Sequence, residues 1–172
     1  MRRKKRFDVR RVAYMGLMFA LAVVLSYLES LVQLPGLPPG VKLGLSNIVT
    51  MYCLFFMGPS HAFTLAVLKS LSVFITRGVT AAALSFSGGL LSLAVMLVLL
   101  RFKKLDLSYT VVSIGGAVAH NAGQLAVACL ITATPITFFY FPVLLVSGVC
   151  MGVLTGVLLH TVMPALERIL PR

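Results

Sequence analysis

The chain has 172 residues, of which 59% are hydrophobic and 11% charged, with a mean hydropathy of +1.03. Soluble domains carry about a quarter charged residues, so this composition excludes one and reads as an integral membrane protein. The net charge of +11 does not mark a nucleic-acid binder: seven of the fifteen Lys and Arg residues lie in MRRKKRFDVRR, ahead of the first apolar run, and others lie between or after later runs.

At about twenty apolar residues per crossing, the chain holds six spans joined by short connections. The first runs from about Val12 to Val32; it is too long for the apolar core of a signal peptide, and no A-x-A site follows, so it is expected to remain as a helix. A proline- and glycine-rich segment at 33–45 then breaks any regular element. A short second span, about Ser46 to Met57, closes at Gly58-Pro59. The third, about Ser60 to Thr76, carries Lys69 and ends at Arg77-Gly78. The fourth covers about Ala81 to Leu100, followed by a basic connector at 101–106. The fifth covers about Tyr109 to Ile131, and the sixth about Tyr140 to Met163, with Pro164 expected to stop it.

Basic residues orient the spans, because cytoplasmic loops are enriched in Lys and Arg. With residues 1–11 inside, alternation puts twelve basic residues inside, Lys42 and Arg77 outside, and Lys69 within the membrane. The expected fold is an all-α membrane bundle of six transmembrane helices in one domain over 1–172, both termini cytoplasmic, in the cell membrane. Glycines indicate its packing: Gly148, Gly152 and Gly156 recur every four residues, as do Gly115, Ala119 and Gly123. Such stripes let helix backbones approach closely in lipid. Gly16 and Ala20 form a shorter stripe on the first helix.

Hydrolysis or phosphoryl transfer needs paired carboxylates, a metal cluster or an activated nucleophile. The acidic residues are Asp8, Glu29, Asp106 and Glu167, scattered along the chain. No phosphate-binding G-x-x-x-x-G-K-[ST] loop occurs. Cys53, Cys129 and Cys150 have neither metal-ligand nor redox spacing. The expectation is therefore a chain with no catalytic residue, no metal and no cofactor. Polar groups within the spans are costly in lipid and point to a binding site. Lys69 and Arg77 are expected to form a basic stripe toward the outside, to which Lys42 and Asn47 add, the latter also a candidate helix cap. An anionic ligand would neutralise that stripe. On the fifth helix His120 and Gln124 share a face with Gly116, while Asn121 is turned about 100° away. The alternative for each residue is structural: Lys69 paired with Glu29, and the polar trio tying helices together.

Three ordered segments, VKLGLSNIVTM at 41–51, LSFSGGLLSLAVM at 84–96 and GGAVAHNAGQL at 115–125, resemble the Gx transporter family, also described as heptaprenyl diphosphate synthase component I. That family is similar to the substrate-binding S components of energy-coupling-factor (ECF) vitamin transporters. The resemblance implies six helices, an outer loop after the first helix that covers the ligand, and a first-helix docking motif at Gly16 and Ala20. Its third helix typically carries Arg where this chain has Lys69, which keeps the charge but not the bidentate fork. The implied function is capture of a small, anionic or amphipathic metabolite of vitamin, quinone or isoprenoid type. The implied partners are a transmembrane coupling subunit and ATPase subunits. Two other readings stay open: a non-catalytic membrane partner of heptaprenyl diphosphate or quinone synthesis, and a scaffold for a redox complex.

Overall fold

The computed structural model describes residues 9–31, 44–102, 107–133 and 139–169, so Lys42 and most of the 33–45 segment lie outside the described residues. The described chain is helical: α1 Val9–Leu31, α2 Asn47–Met57, α3 Pro59–Arg101, α4 Tyr109–Thr132 and α5 Phe141–Ile169. Four of these are long and apolar enough to cross a membrane, and α2 is a shorter apolar helix of 11 residues. The protein is a multi-pass membrane bundle.

The expected third and fourth spans are continuous in α3, a 43-residue run broken at Gly78, where φ is 84° and ψ −178°. A side chain would strain this backbone; glycine, lacking Cβ, adopts it freely. The break turns the chain back on itself. A Cβ placed on Gly89 would stand 3.6 Å from the Ala66 side chain, and Lys69 and Ser85 line one cavity. In an unbroken helix, residues 66 and 89 would lie about 35 Å apart at 1.5 Å per residue. Gly58, with φ 94°, makes the corresponding turn into α3, and Pro59 fits the first helical position because it lacks an N–H to leave unpaired. At the other end of the chain the expectation fails in detail: Pro164 does not stop the last helix, which carries the proline inside it and continues to Ile169. Its ring costs one backbone hydrogen bond there without ending the element.

Helix α4 is the centre of the bundle. Its Gly115–Gly123 stripe packs on the second arm of α3: a Cβ on Gly115 would meet Leu99 at 2.7 Å, and one on Gly123 would meet the Ser87 carbonyl at 2.8 Å. On another side, the α5 glycines face α4 backbone in antiparallel register, Gly148 against Val118, Gly152 against Ile114 and Gly156 against Thr110. Both expected stripes thus serve close helix contact, where dispersion and backbone approach replace the hydrophobic drive missing in lipid. The larger apolar core joins α1, α2, α3 and α4 around Met51, Leu65, Met96 and Val112, and a smaller one gathers Leu84, Leu125, Ala128 and Leu144. Helix α1 is the least enclosed: among its described side chains only Ala22, Ser26 and Glu29 are buried. Large apolar side chains such as Leu17, Ile75 and Leu130 cover the exterior, as a lipid-facing surface requires.

Candidate functional site

The three sequence segments that carry the family resemblance meet at one side chain, His120. Its ring lies between two glycines: Gly44 of the first segment, where a Cβ would stand 3.5 Å from the imidazole, and Gly88 of the second, where it would stand 2.9 Å away. Gly88 therefore provides the space that the imidazole fills, and any larger residue there displaces it. One turn along α4, the Gln124 amide nitrogen lies 2.7 Å from His120 Nε2. With the amide donating, the imidazole is neutral and carries its proton on Nδ1. The atoms nearest a Cβ on Gly116, on the same face, belong to Met96 and Met51, so this position packs against apolar side chains.

Glu29 reaches this region from α1. Its Oε1 accepts hydrogen bonds from the backbone N–H of Gly44 and, at 3.3 Å, of Leu45. Those amides lie just ahead of α2, where the helix dipole and unpaired N–H groups favour a carboxylate. Gly44, at φ 99°, allows the tight turn that presents them, and its carbonyl accepts from Asn47 N at 2.8 Å. Lys69, on the first arm of α3, is the largest fully buried side chain among the described residues, at 1% exposure. Its Nζ and the Glu29 Oε2 both lack a hydrogen-bond partner among the described residues. Both residues line one cavity together with Ser26, Ser46, Val73, Ala81, Ser85, His120 and Gln124. The free volume at its centre is about 10 Å³, room for one water molecule. Anything larger than water therefore fits only if a wall moves, and among the described helices the least enclosed is α1.

The candidate residues fall into distinct places. Lys69, His120 and Gln124 converge on the cavity. Asn47 does not cap α2: Ser46 precedes the helix without a side-chain cap, and the Asn47 amide donates instead to Ser92 Oγ at 3.1 Å, joining α2 to α3. Asn121 faces α5, where its amide donates to the Leu144 carbonyl at 2.8 Å and to Ser147 Oγ at 3.2 Å. Arg77 is exposed beside the Gly78 break and does not line the cavity. Of the expected basic stripe, Lys69 alone among the described residues lines the cavity, and Glu29 shares it. Gly16 and Ala20 are exposed on α1, and nothing lies within 4 Å of a Cβ added to Gly16.

Sequence reasoning did not place Ser26, Glu29, Ser46 or Ser85 in the site. A signal existed for Ser26 and Glu29, which are three residues apart and so share one face of an otherwise apolar helix. Ser85 and Ser92 likewise fall on one face, with Gly88 and Gly89 between them. Among the described residues no group of three or more His, Cys, Asp or Glu side chains is placed to hold a metal.

Comparison with known proteins agrees with the family resemblance that the three segments carry. The family described as heptaprenyl diphosphate synthase component I matches residues 18–162, which includes every residue of the cavity. No curated protein and no solved structure matches the chain. Since the matched region covers most of the 172 residues, the chain belongs to the heptaprenyl diphosphate synthase component I family.

Proposed function

We propose that this protein is a substrate-capturing membrane subunit of a transporter, of the S-component type, which takes a small polar metabolite into the cavity between Glu29, Lys69, His120 and Gln124. The observation that carries this reading is the buried Lys69 ammonium with no hydrogen-bond partner among the described residues. An isolated charge in an apolar interior is strongly unfavourable and persists where function requires it. The serines and the His120–Gln124 pair around it supply the few convergent polar groups of a small-molecule site. In this reading the two arms of α3 cross the cell membrane separately, giving six crossings with both termini cytoplasmic. The exposed Gly16 and Ala20 on α1 form the small-residue face for a transmembrane coupling subunit with its ATPases.

Mass spectrometry of small molecules retained by protein purified in mild detergent tests the capture role. Wild-type protein is expected to retain a defined metabolite. Lys69→Met and His120→Ala should each lose it while keeping the elution profile of the folded bundle. Because Lys69→Met removes a buried charge without opening a large cavity, its melting temperature should equal or exceed that of wild type. Full retention by both variants would refute the assignment.

The family description motivates a second reading, in which the chain is a membrane partner in heptaprenyl diphosphate synthesis without catalytic residues of its own. It predicts co-purification with a soluble prenyl synthase subunit, whereas the transport reading predicts recovery of a coupling subunit.

A further inference from the structure

The electrostatics of the cavity wall restrict what it can hold. Among the described residues two formal charges face it, the Glu29 carboxylate and the Lys69 ammonium, at 3% and 1% exposure. Among the described residues no other side chain in the wall carries a formal charge. The hydroxyls of Ser26, Ser46 and Ser85 donate or accept, as does the Gln124 amide group. With the Gln124 amide donating to it, His120 Nε2 carries no proton and the imidazole adds no charge.

Two opposite buried charges in one cavity would gain most by direct contact. Here they make none, and Glu29 Oε2 and Lys69 Nζ each lack a partner among the described residues. The reason is geometric. The other carboxylate oxygen is held by the Gly44 and Leu45 amides at the start of α2, which fixes Glu29 toward α1 and α2, whereas Lys69 rises from α3. The gap between them accepts a group that receives a hydrogen bond from Lys69 and gives one to Glu29. A phosphate or diphosphate satisfies Lys69 but brings negative charge against a desolvated carboxylate, where repulsion is weakly screened.

Building on the capture role argued above, we infer that the cavity selects a net-neutral dipolar molecule, one with an anionic or carbonyl acceptor at one end and an N–H or ammonium donor at the other. Glu29 is the residue that excludes simple anions. The role differs from that of a structural tether, because a tether would not set the charge of the ligand.

Glu29→Gln separates the two roles, since the amide oxygen still accepts from Gly44 and Leu45 while the negative charge is gone. Wild-type protein in lipid nanodiscs, dialysed against radiolabelled inorganic diphosphate, should retain background counts only. Glu29→Gln should retain at least about thirtyfold more, the scale expected when a buried like charge is removed, and Glu29→Gln/Lys69→Met should return to background. In parallel, the net charge of the molecule released from wild-type protein is measured by ion-exchange mobility and mass spectrometry. A neutral dipolar molecule, depleted in both Glu29→Gln and Lys69→Met, supports the inference. Diphosphate retention by wild type, or the same background in wild type and Glu29→Gln, overturns it, as does release of an anion from wild type. Such an anion would leave the capture role standing, whereas absence of any released molecule together with no diphosphate retention by any variant refutes capture as well.

Discussion

The α4–α5 seam and the α1 edge are built on opposite principles. At the seam, glycines of α5 lie so close to the Ile114 and Thr110 backbone that no side chain fits between them, and Asn121 adds hydrogen bonds across it. At the edge, α1 buries few of its described side chains, a Cβ added to Gly16 meets nothing within 4 Å, and Glu29 ties the helix to the turn before α2. The contrast sets a fixed wall, which positions His120 and Gln124, beside one that is less enclosed. Local stability differences of this kind are what ligand-admitting elements require.

Substitutions at equivalent small residues test that contrast. The largest effect is expected for Gly152→Leu, whose side chain collides with Ile114 main chain that cannot move aside; destabilisation of about 3 kcal/mol or more should abolish the folded peak in detergent. A Gly152→Leu protein that melts like wild type would show that the seam is not close-packed. An intermediate effect is expected for Asn121→Ala, which removes the amide from the Leu144 carbonyl at the same seam. The cost should be about 1–3 kcal/mol by thermal melting, with little change in captured metabolite, because Asn121 faces α5. The smallest effect is expected for Gly16→Leu: within about 0.5 kcal/mol of wild type, since the added side chain meets open space. The same variant should lose recovery of a coupling subunit in pull-downs, and equal recovery would remove Gly16 from the docking face.

The helices were legible because each is a long apolar run, and the turns because Gly58-Pro59 and Arg77-Gly78 stand between such runs. The packing stripes were legible as well, from glycines and alanine spaced four apart. What local sequence does not carry is the register between helices. Asn47 lies 45 positions from Ser92 and Glu29 lies 15 positions from Gly44, and nothing near either residue announces its partner. For that reason Asn47 read as a ligand contact or helix cap, and Glu29 only as a candidate partner of Lys69. The fifth-helix motif divided only in part: the helix period separated Asn121 from His120, but only the position of α5 gave that separation its meaning. Arg77 was placed with Lys69 by helix periodicity, which ignores that the Gly78 break leaves one exposed while the other is enclosed.

The Gly78 turn has one more consequence. Two sides of the cavity, Lys69 and Ser85, are set by arms that meet with no intervening loop, so their alignment depends on residue count alone. An extra residue in an ordinary surface connection is absorbed as slack. Here it would advance everything beyond it by about 1.5 Å and swing it by about 100° around the arm's axis, unless the arm unwound to compensate. Seven positions from Gly78 to Ser85 thus act as a fixed measure, and chain length at this turn is as much a part of the site as the residues that line it.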